Sequence, residues 1–297
     1  MSNKAISILI PIYNSVCVNQ VKELSAQAQK LNVDYEIIVA DDDSPEKEKV
    51  KGNEVINNIP NCQYIVKPTN TGSAATRNFL AQQSQYPWLL FIDCDVVISN
   101  PSFLSTYLLY IDNSYDVING GIAVADNPQM GSNLRYIYEK TAEAEHTAAK
   151  RQQHRYQEFR STNFIIRRDV FLQSPFDERF TKSGYEDVLF GKHLKLNNTP
   201  ILHIDNPVTM TEFETNPDYV AKTERNLRTL YQFRSDLRGY SRLLTLVSGI
   251  HIPAILWLIR LWHSMFGAIE RRNLCGSRPY LLVFKLYRLG YYLKLTQ

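Results

Sequence analysis

The stretch Trp88-Leu89-Leu90-Phe91-Ile92-Asp93-Cys94-Asp95-Val96-Val97 decides which fold to expect of this 297-residue chain. Five bulky apolar residues precede the first carboxylate, a run typical of a strand buried on both faces. Because burying an unpaired carboxylate is unfavourable, Asp93 and Asp95 are expected at the end of this strand, facing solvent or a cation. Oxygen ligands of this kind suit Mg²⁺ or Mn²⁺. A strand that simply ends in a solvated turn is the alternative.

Three more apolar runs precede this strand, and helical patterns separate them. The runs are Ile6–Ile10, Glu36–Ala40 and Cys62–Val66. Strands that alternate with helices favour a mostly parallel α/β sheet flanked by helices, in which ligands bind beyond the carboxyl ends of the strands. Four polar clusters fall at those ends: Pro11–Asn14, Asp41–Ser44, Asn70–Arg77 and Asp93–Asp95. We therefore expect a ligand site along this edge of the sheet.

The second half of the chain carries another acidic pair. Residues 134–159 indicate a helix or a mobile excursion, and Ser161–Arg168 returns as a strand. Glu186-Asp187 then opens a predicted helix, where the helix dipole stabilises negative charge. A simple cap is the alternative interpretation of this pair.

Composition excludes several classes of protein. There is no Walker loop and no Gly-x-Gly-x-x-Gly, so nucleotide hydrolysis and dinucleotide redox chemistry are disfavoured. No nucleic-acid partner is expected either. Four scattered cysteines without metal or disulfide spacing fit a reducing compartment. With no signal-peptide pattern at the N-terminus, the prediction is a cytoplasmic protein.

These pieces, in this order, resemble the family 2 glycosyltransferases with a GT-A fold. The matching segments are Ser7–Asn14, Glu36–Ser44, Asn70–Asn78, Phe91–Val97, Ser161–Arg168 and Gly184–Leu194, so the resemblance covers about residues 4–215. It implies a metal-dependent hexosyltransferase that uses a nucleoside-diphosphate sugar.

The resemblance also implies roles for individual residues. The nucleotide-sugar would contact Pro11, Tyr13, Asn14, Asp42, Arg77 and Asp93, with Asp42 accepting from an N–H of a uracil-like base. Asp95, with Asp93, would bind the divalent ion, Mn²⁺ or Mg²⁺. Asp187 would be the catalytic base with Glu186 beside it, and Asn163 and Arg167 would line the acceptor side.

Two departures from the family pattern concern the metal and a turn. Met210 or Thr211 stands where the family often has a histidine that ligates the metal, and His203 lies earlier, as a strand residue or a weaker candidate ligand. The cation would then keep more water ligands, or the dependence on it would be weaker. Asp43 replaces the usual glycine and is expected to alter the turn without removing base binding.

The chemistry suits these residue types independently of the family. The leaving group of a sugar nucleotide is the nucleoside diphosphate, which departs with negative charge that a cation neutralises. One carboxylate must deprotonate the acceptor hydroxyl, and direct displacement inverts the anomeric centre. Gln152–Tyr156 resembles a box of processive synthases but precedes the acidic pair instead of following it, so the enzyme is expected to add one sugar per encounter.

The last part of the chain differs in charge from the rest. Residues 242–297 hold eight basic side chains and one acid, a net charge of +7, against −4 for residues 1–241 (25 basic and 29 acidic). We expect a glycosyltransferase domain over 1–241 and a helical tail over 242–297. The mixture of basic, aromatic and apolar residues favours helices in a membrane interface. A packed accessory or oligomer-forming helical domain and a membrane span are the alternatives.

The sequence thus predicts a non-processive, inverting transferase of surface-polysaccharide synthesis. The favoured donor is a UDP-linked sugar, and the favoured acceptor is a lipid-linked oligosaccharide. The protein is expected at the inner face of the cell membrane, where the tail would anchor it peripherally. The alternatives are a sugar-phosphate nucleotidyltransferase and a non-catalytic, membrane-docked protein that binds nucleotide-sugars.

Overall fold

A computed structural model describes residues 4–111, 114–182 and 184–296. The strands within these ranges are β1 (Ile6–Ile12), β2 (Tyr35–Asp41), β3 (Cys62–Val66), β4 (Trp88–Ile92), β5 (Val96–Val97), β6 (Val117–Asn119), β7 (Ile122–Val124), β8 (Asn163–Arg167), β9 (Ile201–His203) and β10 (Val208–Met210).

Helices occupy much of the remaining described chain. They are α1 (Val18–Leu31), α2 (Lys47–Asn53), α3 (Ser73–Gln83), α4 (Phe103–Tyr110), α5 (Leu134–Ala142), α6 (Ala148–Gln153), α7 (Arg168–Gln173), α8 (Glu186–Leu196), α9 (Asn216–Gln232), α10 (Arg242–Gly249), α11 (Pro253–Leu274) and α12 (Leu281–Leu295). Short 3₁₀ helices cover Glu54–Asn58, Pro128–Met130 and Glu143–Glu145.

The predicted mostly parallel sheet is confirmed. Seven strands lie in the order β3-β2-β1-β4-β8-β6-β9, and a smaller sheet has the order β5-β10-β7. The pairs β1/β2, β2/β3, β1/β4 and β6/β9 are parallel, while β8 runs antiparallel to both of its neighbours. The predicted C-terminal helices are also present as α10, α11 and α12.

Apolar runs place β1 and β4 in the middle of the sheet. The side chains of β4 are fully or almost fully buried, as expected for a strand covered on both faces. Beside β4, the rings of Phe91, Phe164 and Phe171 stack at centroid distances of 5.0 Å. Burying each such side chain contributes about 1.5–3 kcal/mol. The strand that ends at the acidic stretch is therefore held rigidly.

The chain divides into two compact units. The first comprises the residues up to Ala123 together with His146–Thr211, and it contains the large sheet. The second comprises Val124–Glu145 and the residues from Glu212 onward. The tail thus belongs to a unit that also includes α5 and α9. The predicted boundary between residues 241 and 242 stays a prediction.

The second unit is helical and has its own core. Leu134, Val220, Leu274, Phe284 and Tyr287 pack together where α5, α9, α11 and α12 meet. A carboxylate of α9 also joins these helices: Glu224 Oε1 accepts from the Tyr287 hydroxyl at 2.7 Å and from Arg271 Nε at 2.9 Å. No helix in the described ranges is long and apolar enough to cross a membrane.

A buried polar network in the first unit ties α6 to β6 and β9. Arg151 is 4% exposed and donates to the carbonyl oxygens of Asn119, Gly120 and Ile204. Its Nη1 also lies 2.8 Å from His203 Nδ1, while His203 Nε2 lies 2.8 Å from the Arg155 carbonyl. A carbonyl can only accept, so Nε2 carries the proton and Nδ1 accepts. Burial, followed by Arg151, lowers the pKa of His203 to about 4.

This neutral histidine predicts a pH dependence of stability. Between about pH 6.5 and pH 4 the unfolded chain binds a proton at His203 that the native chain does not, so the free energy of unfolding falls as the pH falls. The expected loss is about 2–3 kcal/mol. Hydrogen exchange of the core amides of β1 and β4 measures it. His203→Gln should flatten the slope over this range, and an unchanged slope would contradict the assignment.

Candidate active site

The carboxyl ends of β1, β2 and β4 meet at one edge of the large sheet. Ile12 at the end of β1 pairs with Asp41 at the end of β2. Leu9 pairs with Phe91, so Asp93, two residues after Phe91, lies close to the level of Ile12 and Asp41. Parallel strands bring these ends together, as the sequence predicts. The residues of this edge all lie in the first unit.

Asp42 is buried in a set of hydrogen-bond donors. Its Oδ1 lies 2.6 Å from Lys67 Nζ and accepts from the Thr71 N–H at 3.0 Å, while Oδ2 accepts from the Gly72 N–H at 2.8 Å. Burial raises the pKa of Asp42, but Lys67 and the two N–H groups outweigh it and leave the pKa below its ordinary value. Gly72 has φ +90°, and a Cβ there would lie 2.7 Å from the Thr181 carbonyl oxygen, so glycine is required.

Removing the Lys67 ammonium should lower the stability of the protein, because Asp42 is buried beside it. In Lys67→Met, Asp42 loses its buried cation but keeps two N–H donors, so we expect a loss of about 2 kcal/mol in the free energy of unfolding. The pKa of Asp42 should rise, and nucleotide affinity should therefore fall more steeply towards acid pH than in the wild type. Urea unfolding and calorimetry at several pH values measure these effects. Lys47→Met, at an exposed position of α2, is the matched control.

The turn after β1 carries three predicted nucleotide contacts. Tyr13 is 53% exposed, whereas Pro11 and Asn14 are half-buried. The Asn14 N–H donates to Ser44 Oγ at 2.7 Å, and its side-chain amide donates to Glu46. The turn is thereby fixed to the end of β2, and the ring of Tyr13 is available to a flat ligand.

Asp43 holds a left-handed backbone conformation in the turn after β2. Its φ of 57° lies in the left-handed region, which aspartate tolerates better than most residues. The expectation that Asp43 alters the turn stays a prediction, and its backbone has a conformation that glycine adopts more easily. Asp43→Gly should raise the free energy of unfolding by about 0.5–1 kcal/mol, since the backbone strain disappears. Urea unfolding measures this, and a destabilised variant would show that the Asp43 side chain stabilises the turn.

Arg77 of α3 is a buried cation between two carboxylates. Its Nη2 lies 2.5 Å from Asp93 Oδ1, and its Nη1 lies 4.0 Å from Glu186 Oε1. The guanidinium also lies over the ring of Phe176, 5.6 Å from the centroid. Burial lowers the pKa of Arg77, but Asp93 and then Glu186 outweigh it and hold the pKa above its ordinary value. Arg77 thus connects the end of β4 with the start of α8.

The two carboxylates that open α8 have different surroundings. Glu186 is buried, and it accepts from Ser73 Oγ at 3.1 Å and from the Gly184 N–H at 2.8 Å. Burial and then the neighbouring Asp187 raise the pKa of Glu186. The Asp187 side chain is 20% exposed, with its Oδ2 at 3.7 Å from Arg160 Nη1. Of the two predicted catalytic carboxylates, that of Asp187 is the more exposed, and that of Glu186 is bonded to the backbone just before the helix.

The backbone before this pair is strained. Gly184 has φ 108°, and Tyr185, the N-cap residue of α8, has φ 72°. A bulky residue in the left-handed region is uncommon and costs on the order of 1–3 kcal/mol. Strain of this kind concentrates at functional sites, where the surrounding contacts hold it in place.

The residues around Asp95 fit a cation that is shared with a substrate. Asp95 is exposed and Asp93 is half-buried. Among the described residues, no group of three or more His, Cys, Asp or Glu side chains could hold a metal by itself. Met210, one of the two positions where the family often has a histidine, lies across from Val96 in the small sheet and is buried. Proteins often hold Mg²⁺ through one or two carboxylates plus substrate phosphates, and this donor set suits that arrangement.

His203 is not a metal ligand in this structure. Both ring nitrogens are engaged, with Arg151 and with the Arg155 carbonyl. Its role as a strand residue in β9 is the correct interpretation. Gln152, from the segment that resembles the synthase box, accepts from the His203 N–H at 2.8 Å, so this segment packs against β9 as a helix and turn.

The prediction that Asn163 lines the acceptor side is wrong. Asn163 is 1% exposed; its Oδ1 accepts from the Tyr107 hydroxyl at 2.6 Å, and its Nδ2 donates to the carbonyls of Gly121 and Asn206. Every polar group of this side chain is therefore used inside the unit.

The prediction that Arg167 lies on the acceptor side is also wrong. Because β8 runs antiparallel to β4, Arg167 pairs with Trp88, at the edge of the sheet opposite to Asp93. There it forms ion pairs with Asp169 at 2.5 Å and Asp116 at 3.3 Å.

Three side chains at the sheet edge that carries Asp42 and Asp93 were missed in the sequence analysis. Lys67 holds Asp42, Ser73 donates to Glu186, and Arg160 lies near Asp187. A lone lysine directly after a strand was a signal for the first. Arg160 lies three residues before β8, and reversing the direction of that strand would have placed it at this edge.

The comparisons with known proteins agree with the fold. The family model described as Glycosyl transferase family 2 matches residues 7–173. An uncharacterized glycosyltransferase of Haemophilus influenzae is 32% identical over 130 residues, which are 42% of this chain and 50% of that protein. Chondroitin synthase of Escherichia coli is 33% identical over 118 residues, 38% of this chain and 17% of that protein. The chain thus spans half or less of these curated relatives.

Solved structures with low sequence identity share the architecture. S. aureus TarS 1-349, in complex with UDP-GlcNAc, is 18% identical, with a TM-score of 0.54 over 97% of this chain and 89% of that chain. The mannosyltransferase PcManGT of Pyrobaculum calidifontis, in complex with GDP-Man and Mn²⁺, is 11% identical, with a TM-score of 0.54 over 97% and 84%. These likenesses concern the fold. With the family model matching more than half of its length, the chain belongs to glycosyl transferase family 2.

Proposed function

We propose that this protein is an inverting, non-processive glycosyltransferase that moves one sugar from a UDP-sugar to an acceptor hydroxyl. The observation that carries the proposal is the convergence of carboxylates at one sheet edge. Asp42 follows β2, Asp93 and Asp95 follow β4, and Arg77 connects Asp93 to the helix that begins with Glu186 and Asp187.

The donor nucleotide would bind at the ends of β1 and β2. Asp42 is held ionised by Lys67, so it can accept from a ring N–H of uracil or guanine. Tyr13 offers an exposed ring on which a base can stack. The TarS structure with UDP-GlcNAc supports UDP as the nucleotide.

A divalent ion, Mn²⁺ or Mg²⁺, would be held by Asp95 with Asp93 and the donor phosphates. When bound, it neutralises the charge that develops on the departing diphosphate. Arg77 orients Asp93 through its 2.5 Å ion pair. Of the two carboxylates proposed to hold the ion, that of Asp93 is therefore kept in position by Arg77.

Asp187 would act as the general base. Its Oδ1 accepts from the Val188 N–H at 2.8 Å, which holds the carboxylate at the first turn of α8. This partly exposed carboxylate would remove the proton of the acceptor hydroxyl while that oxygen attacks the sugar carbon from the side opposite to the diphosphate. A single displacement of this kind inverts the anomeric centre.

The acceptor would be a lipid-linked oligosaccharide of surface-polysaccharide synthesis. The basic, apolar residues 242–297 support a peripheral location on the inner face of the cell membrane, where such a lipid would be met. Sedimentation with membranes, with and without these residues, tests the location. Sedimentation of the truncated protein would count against the tail as the anchor.

Product analysis tests the reaction. The full chain is incubated with Mn²⁺, a panel of α-linked UDP-sugars and membrane-extracted acceptor lipids, and the products are examined by NMR. We expect one sugar to be transferred once, with a β linkage. An α linkage would contradict the single displacement. Pyrophosphate release from a nucleoside triphosphate and a sugar phosphate would show a nucleotidyltransferase instead.

A further inference from the structure

Helix α11 buries two polar side chains. His263 and Glu270 are each 6% exposed, and His263 Nδ1 lies 3.0 Å from Glu270 Oε2. The Trp262 indole N–H donates to Glu270 Oε1 at 2.9 Å. His263 packs on α12, where a Cβ at Gly290 would lie 2.6 Å from the histidine Cβ. The side of α11 that carries His263 and Glu270 is therefore its buried side.

The opposite side of α11 is apolar and exposed. Its large side chains are between 40% and 66% exposed, and they are Trp257, Leu258, Leu261, Trp262, Met265 and Ile269. At about 100° per residue, these six positions fall within an arc of about 140°. A contiguous apolar surface of this kind marks an interaction site, whereas isolated exposed apolar residues do not.

The charges of the same segment select the partner. Glu270 is the only acid of residues 242–297, and it is buried against His263. Exposed cations occur along the three helices and the turn between α11 and α12: Arg242, Arg272, Arg278, Lys285 and Lys294. A second copy of this segment would bring cations together with no exposed carboxylate from the described part of 242–297 to pair with them. An anionic lipid surface complements both the charge and the apolar face.

We propose that the exposed face of α11 docks on a bilayer containing anionic phospholipids, with the helix axis parallel to the membrane plane. The proposal rests on the membrane location in the proposed function and deepens it, because it names the surface and the lipid charge. Leu258, Leu261 and Met265 enter the acyl boundary, and Trp257 and Trp262 lie at the level of the headgroups. The His263–Glu270 pair keeps the one acid of the segment away from the lipid.

Vesicle binding by the full chain tests the proposal. We expect binding to phosphatidylcholine vesicles that contain phosphatidylglycerol, weak binding to pure phosphatidylcholine, and a loss of affinity as salt rises. Leu258→Glu with Met265→Glu should lower the affinity about 100-fold or more, since two apolar side chains leave the membrane. Arg272→Gln with Arg278→Gln should lower it roughly 30-fold on anionic vesicles alone.

The control variant is Leu109→Glu, which places the same charge on an exposed leucine of α4. It should bind vesicles like the wild type. Equal binding to neutral and anionic vesicles, or no effect of the α11 variants, would overturn the proposal. Concentration-dependent dimers that Leu258→Glu abolishes, without vesicle binding, would show that a second copy covers the face.

Nucleotide binding by the same preparations separates this proposal from the proposed function. Circular dichroism and UDP affinity should be unchanged in the α11 variants. If the wild type binds UDP but does not bind vesicles, only the proposed docking surface is overturned. Vesicle binding without binding of any nucleotide overturns the transferase and leaves the docking surface standing.

Discussion

Asp187→Asn is expected to lower turnover about 10²- to 10⁴-fold while leaving UDP affinity nearly unchanged. The amide has the same shape as the carboxylate and keeps the oxygen that accepts from the Val188 N–H, so the start of α8 should be preserved. It cannot remove the proton of the acceptor hydroxyl. Steady-state transfer and UDP calorimetry on the same protein measure the two effects.

Two companion variants make this result specific. Asp169→Asn changes an aspartate that pairs with Arg167 at the other edge of the sheet, and it should transfer sugar like the wild type. Glu186→Gln removes the charge beside Arg77 and should lower stability, because that carboxylate is buried. If Asp187→Asn turned over normally, the base would have to be another group.

Asp95→Ala is expected to weaken UDP binding about 10²- to 10³-fold in the presence of Mn²⁺ and to leave metal-free binding nearly unchanged. Asp95 is exposed after the end of β4 and would contribute to donor binding through the cation, whereas Asp42 and Tyr13 would contact the nucleotide without it. Calorimetry with Mn²⁺ and with a chelator separates the two contributions.

The control for this variant is Asp116→Ala, an aspartate that pairs with Arg167 away from the site. It should bind UDP like the wild type under both conditions. A loss in Asp95→Ala that is equal with and without metal would mean that Asp95 acts through the fold of the turn.

The sheet and its ligand edge could be predicted because the relevant signals are local. Buried apolar runs mark β1, β2 and β4, and each is followed by polar residues within one or two positions. Once the strands are parallel, their carboxyl ends meet at one edge without further information. The acidic pair at the start of α8 is also a local signal.

Strand direction and long-range partners could not be predicted in the same way. The sequence Asn163–Arg167 shows a strand, but its apolar pattern is the same in either direction, so it does not reveal that Arg167 lies at the edge opposite to Asp93. Asn163 is satisfied by Tyr107, 56 residues away, and by the Asn206 carbonyl, 43 residues away. No local pattern distinguishes such a buried amide from one that binds a ligand.

The polar and charged partners within the site could not be predicted for the same reason, because they are far apart in the sequence. Lys67 and Asp42 are 25 residues apart, and Ser73 and Glu186 are 113 apart. In the tail, the residues from Leu243 to Ile259 carry no Lys, Arg, Asp or Glu but belong to two helices, because α10 ends at Gly249 and α11 starts at Pro253. Proline is favoured in the first turn of a helix, where its missing N–H removes no hydrogen bond.

The most direct measurement is calorimetry of UDP, GDP, CDP and TDP binding to the full chain, with and without Mn²⁺. We expect one nucleotide, UDP, to bind in a metal-dependent manner, because Asp42 would accept from the base and Asp95 would hold the cation on the diphosphate. Binding of none of the four, or binding that Mn²⁺ leaves unchanged, would contradict a sugar-nucleotide site at this edge of the sheet.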